Sequence, residues 1–334
     1  MSVPATMRAL EQRSHGGPQD LRLVADTPVP VPGPGEVLVK VAVAGVNFAD
    51  VSRSRGTFLG GPQPPYLAGF EAAGEVVAAG EVVAAAGTGP RAGSLVAGVG
   101  EGAFAEYLVL PAAGAMPVPE GWTAEQALGL VVNWPAALAA LRPLGRLAAG
   151  ETALIHAAAG ATGQAAVRMA KHYGATVIAT ASRGKHDTVR ALGADHVLDS
   201  RSGDLAAEVL RLTGGAGADL VLESAGGSAF EASLAAARRV TGRVVVLGLA
   251  GGEAAVTNRD LVYRHQVQLV GLNIGVLIGA APQVFGEVMG ELSTLVSAGV
   301  LPPAAPTVRP LADGPEVLAE LEARATVGKL ALRP

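Results

Sequence analysis

The pattern of hydrophobic and polar positions along the chain changes near Thr123. Before that residue, short apolar or alternating runs are separated by turns rich in Gly and Pro, which is typical of β-strands. These runs include "MRALEQ", "LRLVAD" and "EVLVKVAVAGV". After it, β-branched runs alternate with helical patterns of about 10–15 residues, which predicts a parallel, doubly wound α/β sheet. A ligand of such a sheet lies beyond the carboxyl ends of the strands, where the strand order reverses.

The last part of the chain, from Pro282 onward, contains two helical patterns and a final strand, "GKLALR", which could return to complete the β-rich domain. The most membrane-like stretch is Gln266–Gly286. Its Asn273, Pro282, glutamines and glycines suit a membrane-spanning helix badly. We therefore expect a buried or interface strand followed by a loop there, and no membrane partner.

Length and composition are those of a globular enzyme with two domains. The chain has 334 residues, which is more than one domain usually contains, and half of them are hydrophobic. The formal net charge is -4 and the charges are scattered singly, so no basic stripe is available for nucleic acid. No apolar leader precedes the first strand, so we expect a cytoplasmic protein. The sequence has no cysteine, which excludes disulfides, thiol nucleophiles and any zinc site that contains cysteine.

The segment "IHAAAGATGQAAV" links a predicted strand to a predicted helix. Ala158, Gly160 and Gly163 occupy the three glycine positions of a G-x-G-x-x-G motif, in which the second glycine lets the backbone approach a pyrophosphate and the third lets the helix pack on the strand. The backbone N–H groups near Ala161, Thr162 and Gly163 would then face the anion. Taken alone, this incomplete motif leaves open an ordinary corner between strand and helix.

The end of the next strand favours the pyrophosphate interpretation. An NAD site would have Asp or Glu there for the ribose hydroxyls, whereas this chain has Ser182, Arg183 and Lys185. A hydroxyl and two cations suit the 2′-phosphate of NADPH, with no carboxylate to repel it. Asp187 is expected in the first turn of the following helix. The alternative is that the two cations form a solvated helix face.

Together with these residues, four segments carry a family resemblance: "GVNFADVSRSRG", "LAGFEAAGEV", "GAFAEY" and "GRVVVLGL". The chain resembles, over nearly its whole length, the zinc-free quinone oxidoreductases of the medium-chain dehydrogenase/reductase superfamily, the group that includes ζ-crystallin. The resemblance implies a GroES-like β domain formed by residues 1–128 and 274–334. It places a Rossmann domain at residues 129–273, with NADPH in the cleft. It also implies a homodimer, joined through the sheet edge at "VQLVGLN".

The resemblance also bears on metal binding. Zinc alcohol dehydrogenases of the superfamily carry a cysteine in the place of Asn47 and a histidine before Glu71, where this chain has Phe70. We therefore expect no metal. The six histidines lack metal-site spacing, and His156 lies on a predicted buried strand. For each histidine we expect a satisfied or a surface role rather than metal binding. Asn47 is the leading catalytic candidate, because a neutral amide can donate a hydrogen bond to the oxygen of a reduced acceptor.

Several positions depart from the family pattern near the expected acceptor. Bacterial quinone reductases of this group commonly have tyrosines in the places of Ser52 and Phe58, so the wall of the acceptor site is altered. Asp50 could orient Arg53 or cap a helix, and its position favours the cap.

Other departures concern the cofactor. Pro135 stands where the family has a threonine near the nicotinamide, which leaves Asn133 as a substitute. A tyrosine near the adenosine phosphate is replaced by Ser200, with Arg201 beside it. Further cofactor contacts implied by the resemblance come from Leu247, Gly248, Leu249, Asn273 and Lys329.

These observations lead to one principal hypothesis and two alternatives. Without a Lewis acid, a conjugated acceptor is reduced more easily than an isolated carbonyl, because its negative charge is delocalised. The sequence therefore predicts an NADPH-dependent, zinc-independent reductase that transfers hydride to a quinone or similarly conjugated carbonyl. The first alternative is an enal, enone or enoyl-thioester double-bond reductase. The second is a non-catalytic NADPH-binding protein.

Overall fold

The computed structural model describes residues 3–86, 89–201 and 203–334. The chain forms two compact units. The first unit comprises Met1–Val131 and Pro303–Pro334, and the second comprises Val132–Pro302. The two ends of the sequence thus build one unit together, as the resemblance implies.

The strands and helices follow the chain in this order. The strands are β1 (Thr6–Gln12), β2 (Leu21–Pro28), β3 (Glu36–Val46), β4 (Tyr66–Leu67), β5 (Glu71–Ala79), β6 (Leu95–Val99), β7 (Tyr107–Pro111), β8 (Met116–Pro117), β9 (Thr152–Ile155), β10 (Thr176–Ala181), β11 (His196–Asp199), β12 (Leu220–Glu223), β13 (Arg243–Val246), β14 (Gln268–Gly271), β15 (Thr307–Pro310) and β16 (Leu330–Arg333). The helices are α1 (Phe48–Ser54), α2 (Glu81–Ala86), α3 (Ala124–Ala127), α4 (Asn133–Leu141), α5 (Ala161–His172), α6 (His186–Ala191), α7 (Leu205–Leu212), α8 (Ser228–Ala236), α9 (Asn258–Asp260), α10 (Ile274–Ala280), α11 (Pro282–Ser297) and α12 (Gly314–Glu322).

The first unit is mainly β. Its larger sheet has the strand order β15-β16-β3-β5-β6-β8, with β7 also paired to β3, and a smaller sheet has the order β2-β1-β4. β3 follows the predicted run "EVLVKVAVAGV" and buries most of its side chains, because it lies in the middle of the larger sheet. The core between the strands contains Leu10, Leu21, Val37, Val39, Phe104, Leu108, Leu110 and Leu332. This unit is the predicted GroES-like β domain.

The second unit contains a parallel sheet with the strand order β11-β10-β9-β12-β13-β14. The order reverses between β9 and β12, as in a Rossmann fold. Short apolar runs such as β9 and β12 are buried along nearly their whole length, because helices cover parallel sheets on both faces. The predicted doubly wound α/β fold is confirmed.

The second unit continues beyond the predicted boundary at residue 273 and ends at Pro302. α11 is the reason, because its Val288, Leu292 and Leu295 are buried and the helix packs on α4 of the same unit. The segment after β14 also differs from expectation. It forms α10 directly after the strand, so the prediction of a loop is wrong there. α11 then begins at Pro282, where the sequence has a helical pattern.

Asn273 explains why a helix begins at this place. Its Oδ1 accepts hydrogen bonds from the backbone N–H groups of Gly275 (2.9 Å) and Val276 (3.2 Å), which makes Asn273 the N-cap of α10. Within residues 3–86, 89–201 and 203–334, no helix is both long and apolar enough to cross a membrane.

Candidate active site

Three strand ends of the first unit meet around Asn47. Asn47 directly follows β3, Glu71 begins β5, and Lys329 directly precedes β16. β3 pairs with β16 on one side and with β5 on the other. The register of the sheet therefore brings together three polar residues that lie far apart in the sequence.

The side chains of Asn47, Glu71 and Lys329 form one hydrogen-bonded cluster, referred to below as the Asn47 network. Asn47 Nδ2 donates to Glu71 Oε2 over 2.6 Å. Lys329 Nζ donates to Asn47 Oδ1 over 2.9 Å and to Glu71 Oε2 over 2.6 Å. Glu71 is 0% exposed, and Asn47 and Lys329 are each 7% exposed. Because an unpaired charge is costly in such a place, each group depends on the others for its burial.

Gly45 makes room for the Glu71 carboxylate. A Cβ atom at Gly45 would lie 2.6 Å from Cδ and from Oε2 of Glu71, which is closer than non-bonded atoms approach. The carboxylate therefore occupies the space over the β3 backbone that a side chain would fill. Gly45, the glycine of "VAVAGV", therefore makes it possible for Glu71 to be buried within the Asn47 network.

Asp50 caps the helix that begins after Asn47. Its Oδ2 accepts a hydrogen bond of 2.8 Å from the Asn47 backbone N–H, so the predicted capping role is confirmed. Burial raises the pKa of the Asp50 carboxyl to about 7. The bond from Asn47 and the charges of Arg53 and Lys329 oppose that increase, and the charge of Glu71 adds to it.

Arg53 is held between two phenylalanines. Its Cζ lies 5.2 Å from the ring centroid of Phe58 and 4.6 Å from that of Phe70. Its two terminal nitrogens donate to the carboxylate of Glu101 over 2.7 and 3.1 Å. Phe70 stands where the zinc enzymes carry histidine, and here its ring packs against a guanidinium group by a cation–π contact.

A cavity of about 330 Å³ lies beside Arg53 within the first unit. Its lining residues are Arg53, Gly60, Pro62, Tyr66, Leu67, Glu101 and Gly102. Burial raises the pKa of Tyr66 to about 12, while the charge of Arg53 opposes the increase. The Tyr66 hydroxyl therefore keeps its proton at neutral pH. The cavity offers a neutral hydroxyl and a guanidinium group, although the tyrosines of the family are absent from positions 52 and 58.

The turn before α5 in the second unit requires one of its glycines for packing. A Cβ atom at Gly163 would lie 2.4 Å from the Ala157 carbonyl oxygen and 2.6 Å from Ala158 Cα, so close packing of helix on strand requires this glycine. A Cβ atom at Gly160 would meet only the Ala157 oxygen, at 3.3 Å. This one contact is tight, so the chain disfavours a side chain at Gly160, although less strongly than at Gly163.

The backbone of this turn also explains the missing first glycine. The left-handed conformation falls on Ala157, with φ of 48°, and not on Ala158. Ala158 is fully buried and its N–H donates to the Thr180 carbonyl over 3.0 Å, so it serves as part of the sheet edge. Alanine is therefore compatible with the first position of the motif in this chain.

Asn133 and Thr162, both predicted cofactor residues, lie in contact. Asn133 begins α4 and its Nδ2 donates to Thr162 Oγ1 over 3.2 Å. Thr162 and Ala161 form the first turn of α5, where N–H groups are not used by the helix itself. The structure thus joins the residue that replaces the family threonine to the predicted pyrophosphate turn.

The end of β10 differs from expectation in one respect. Arg183 Nε donates to Asp199 Oδ2 over 2.8 Å, so the prediction that no carboxylate lies near these cations is wrong. The reason is sheet pairing, because Asp199 ends β11 directly opposite Ala181. Lys185 lies close to a second cation: burial lowers its pKa, and the charge of Arg201 lowers it further.

The remaining predicted cofactor residues lie in three places. Ser182 and Ser200 follow β10 and β11 directly, and Leu247, Gly248 and Leu249 follow β13, so all five lie at the carboxyl edge of the sheet. Asn273 follows β14, with its side-chain oxygen engaged as the cap of α10. Lys329 belongs to the first unit and forms part of the Asn47 network.

His156 lies at the end of β9 and is a hydrogen-bonded core residue, as predicted. Ser233 Oγ donates to the Ala229 carbonyl, so His156 Nε2 donates to Ser233 over 2.9 Å. Its Nδ1 then accepts from Thr180 Oγ1 over 3.2 Å. Burial lowers the pKa of His156 to about 4, which keeps the ring neutral.

Three residues of the candidate site were not identified as such from the sequence: Glu71, Tyr66 and Asp199. Glu71 carried a signal, since a carboxylate inside the apolar run "LAGFEAAGEV" needs a buried partner. Tyr66 and Asp199 carried none, because their places depend on how distant strands pair.

Among the described residues, no three His, Cys, Asp or Glu side chains are grouped so that they could hold a metal ion.

Two protein-family models match the chain. Residues 33–120 match the alcohol dehydrogenase GroES-like domain, and residues 161–294 match the family described as zinc-binding dehydrogenase. Among curated proteins, the chain is 35% identical over 326 residues to a mycocerosic acid synthase-like polyketide synthase of Mycobacterium tuberculosis. That match covers 97% of this chain but 15% of the synthase, so the chain spans about a seventh of that relative's length.

Solved structures match over nearly the entire chain. Mycobacterial Rv1454c complexed with NADPH is 33% identical, with a TM-score of 0.92 and coverage of 98% of this chain and 100% of the other. Escherichia coli quinone oxidoreductase complexed with NADPH is 29% identical, with a TM-score of 0.90 and coverage of 98% and 100%. The CurK enoyl reductase is 27% identical, with a TM-score of 0.88 and coverage of 98% and 99%.

Fold, domain matches and full-length similarity agree with each other. A β-rich unit formed from both ends of the sequence is joined to a Rossmann unit with the strand order expected for dinucleotide binding. The chain therefore belongs to the medium-chain dehydrogenase/reductase superfamily of oxidoreductases.

Proposed function

We propose that this protein is an NADPH-dependent, zinc-independent reductase that transfers hydride to a quinone or a similarly conjugated carbonyl compound. The observation that carries the proposal is the Asn47 network. It provides an amide donor backed by a buried cation where the zinc enzymes of the superfamily bind their metal. A chain without cysteine has no thiolate for such a metal, and its Phe70 is engaged with Arg53.

The second unit supplies the residues for NADPH. The N–H groups of Ala161, Thr162 and Gly163 at the start of α5 suit the pyrophosphate, and the lack of a side chain at Gly160 lets it approach the backbone. Ser182, Arg183 and Lys185 at the end of β10 suit the 2′-phosphate. When bound, NADPH supplies a hydride from its nicotinamide ring, and water supplies the proton that completes reduction of the acceptor.

The first unit supplies the residues for the acceptor. The cavity of about 330 Å³ has the size of a single-ring or short conjugated compound. Tyr66 holds its proton at neutral pH and can donate to an acceptor oxygen, and the guanidinium group of Arg53 forms a planar wall. The amide of Asn47 stabilises the enolate-like oxygen that forms when a conjugated carbonyl is reduced.

Stopped-flow mixing of the protein with NADPH and a panel of substituted benzoquinones and naphthoquinones tests the proposal. We expect the nicotinamide absorbance to decay at a rate that depends on quinone concentration. Saturable NADPH binding with no oxidation by any quinone or enone would favour the non-catalytic alternative.

A double-bond reductase is the second candidate. It is favoured by the similarity to an enoyl reductase structure and to a polyketide synthase, whose names point to acyl thioester chemistry. Incubation with NADPH and an α,β-unsaturated thioester would give a product two mass units heavier, whereas a quinone reductase leaves the thioester unchanged. Comparing kcat/KM for both acceptor classes decides between them.

We also propose that the protein forms a homodimer through β14. β14 is the edge strand of the parallel sheet, and its Leu269, together with Val276 and Ile278 of α10, is exposed. An unpaired edge beside exposed apolar side chains favours pairing with a second copy. Light scattering at micromolar concentration should give about twice the mass of one chain. A monomer across that range would contradict the proposal.

A further inference from the structure

We infer that the cavity of the first unit selects acceptors that carry a carboxylate group, and that Arg53 binds this group. In the structure the side chain of Glu101 occupies the anion site, and the acceptor displaces it. This inference rests on the proposed function and deepens it, because it names a class of acceptor. It is carried by the geometry and the unequal exposure of the pair formed by Arg53 and Glu101.

The first argument concerns the cation, which two aromatic rings hold in place. Arg53 Cζ lies 5.2 Å from the ring centroid of Phe58 and 4.6 Å from that of Phe70. Only 13% of the Arg53 side chain is exposed. Cation–π contacts stabilise a guanidinium group through its charge and leave its N–H groups available for hydrogen bonds. Arg53 can therefore keep its position while its hydrogen-bond partner changes.

The second argument concerns the anion, which is the exposed member of the pair. Both oxygens of Glu101 accept from the guanidinium group, over 2.7 and 3.1 Å, yet 67% of the Glu101 side chain is exposed. The Gly102 N–H donates to the Gly69 carbonyl over 3.0 Å and holds the turn, so only the side chain has to rotate. Since this carboxylate is already largely hydrated, a second carboxylate can replace it at small cost in free energy.

The third argument concerns the chemistry of the ligand. The two terminal nitrogens of Arg53 share one carboxylate, and its Nε is buried without a hydrogen-bond partner among the described residues. The guanidinium group therefore depends on a partner that accepts from both terminal nitrogens. A carboxylate matches this fork, whereas a single carbonyl oxygen does not. An acceptor that displaces Glu101 keeps both bonds only if it brings a carboxylate of its own.

The fourth argument concerns the rest of the cavity. Arg53 and Glu101 line it together with Tyr66 and Leu67, and its volume of about 330 Å³ suits one ring with a short charged substituent. The Tyr66 hydroxyl stays neutral because burial raises its pKa to about 12, so it does not repel an anion. The cavity thus offers an apolar contact, a neutral donor and a cation. This combination suits a conjugated carbonyl compound that bears a carboxylate.

Binding of benzoate and benzamide to the protein without NADPH tests the anion site. The two compounds have nearly the same shape and differ in charge. In calorimetric titrations, the wild type should bind benzoate at least about tenfold more tightly than benzamide. Glu101→Gln should bind benzoate more tightly still, because no carboxylate of the chain competes for Arg53. Equal affinity for the two compounds in the wild type, or binding of neither, would overturn the inference.

The variant Arg53→Met/Glu101→Gln removes both charges and leaves a flexible apolar side chain beside the phenylalanine rings. It should lose the preference for benzoate, and a preference that persists overturns the inference. If this variant does not fold, Glu101→Gln decides, since tighter benzoate binding supports the inference and unchanged binding overturns it.

Glu322→Gln is the matched control for the change in net charge. Glu322 accepts two hydrogen bonds of 2.8 Å from Arg55, in a pair like that of Glu101, and is not among the residues that line the cavity. This variant should bind both compounds as the wild type does. A gain in benzoate affinity equal to that of Glu101→Gln would mean a general effect of charge and would overturn the inference.

Turnover links the anion site to the reaction. The acceptors are a benzoquinone with a propanoate side chain and the methyl ester of the same compound, each assayed with NADPH. The ratio of their kcat/KM values, carboxylate over ester, should fall at least about tenfold from wild type to Arg53→Met/Glu101→Gln. Comparison of ratios cancels the intrinsic reactivity of each quinone. An unchanged ratio overturns the inference.

The outcomes separate the inference from the proposed function. A protein that binds benzoate through Arg53 but oxidises NADPH with no quinone or enone keeps its carboxylate site and overturns the function proposed for it. A protein that reduces quinones and prefers the carboxylate in neither assay overturns only the inference.

Discussion

Arg183 Nε donates to Asp199 Oδ2 over 2.8 Å, linking the carboxyl ends of β10 and β11. Arg183 is 87% exposed, so the pair contributes little to stability and can exchange partners. A phosphate dianion offers the guanidinium group a stronger partner than a carboxylate does. Asp199 is therefore a competitor for the cation that we assign to the 2′-phosphate of NADPH.

Cofactor preference tests that assignment. The wild type should bind NADPH at least about tenfold more tightly than NADH, which is ~1.4 kcal/mol, and Arg183→Ala/Lys185→Ala should lose this preference. Titration followed by intrinsic fluorescence measures both dissociation constants. Arg190→Ala is the control, because Arg190 pairs with Asp187 on the exposed face of α6. If neither cofactor binds, the turn before α5 is an ordinary corner.

Removal of the competing carboxylate should have the opposite effect. We expect Asp199→Asn to strengthen NADPH binding a few-fold, because Arg183 no longer has to leave an anion, and to leave NADH binding nearly unchanged. The same fluorescence titration applies. A clear loss of NADH affinity would mean that Asp199 holds the ribose hydroxyls instead.

The two glycines of the turn should respond differently to alanine. Gly163→Ala places a methyl group 2.4 Å from a backbone oxygen and should destabilise the second unit, lowering the melting temperature. Gly160→Ala places a methyl group 3.3 Å from one backbone oxygen, so it should fold and lower the melting temperature much less than Gly163→Ala does. It should bind NADPH much more weakly, as measured by titration. Equal NADPH affinity in Gly160→Ala and wild type would argue against a pyrophosphate there.

His156 should make the folded protein less stable as the pH falls below neutral. Its pKa is lowered by burial to about 4, below the value of 6.5 for an unperturbed histidine. The unfolded chain binds a proton on His156 near pH 6.5, whereas the folded chain binds it only near pH 4. The stability that the neutral ring contributes is therefore lost as the pH falls between these two values. Urea unfolding should show ~2 kcal/mol more loss between pH 7.5 and 5.0 in wild type than in His156→Gln. Parallel pH dependences in the two proteins would contradict this.

Asp50 should make stability depend on pH in the opposite direction. Burial raises the pKa of its carboxyl to about 7 in the folded state, above the model value of 3.8. The folded chain therefore holds the proton over a range in which the unfolded chain has lost it, and stability falls as the pH rises through 7. Asp50→Asn keeps an acceptor for the Asn47 N–H and has no carboxyl group that ionises in the buried site. Its unfolding free energy relative to wild type should increase by roughly 3 kcal/mol from pH 5.0 to pH 8.5. Asp50→Ala, which lacks the cap, is the control.

Local features of the sequence predicted much of the fold. The runs that became β1, β2 and β3 each carry the pattern of their own strand, and the turn from β9 to α5 carries its glycines in order. α10 was missed because its apolar residues show no helical period. Asn273, counted as a poor residue for a membrane span, was in fact the signal for a helix start.

Contacts between residues far apart in the sequence could not be predicted from local patterns. Asn47 and Lys329 are 282 positions apart, and only the pairing of β3 with β16 brings them together. Asp199 reaches Arg183 because of the register between β10 and β11, which neither strand specifies alone. Residue types therefore indicated which groups carry the chemistry, and sheet pairing determined which of them meet.

The return of β16 to β3 has a consequence for biosynthesis. A ribosome makes β3 and Asn47 before Lys329, and about 280 residues are added between them. Until then β3 lacks its pairing with β16, and Glu71 lacks its ion pair with Lys329. A nascent chain can therefore contain all the residues of its Rossmann unit while the Asn47 network is still incomplete.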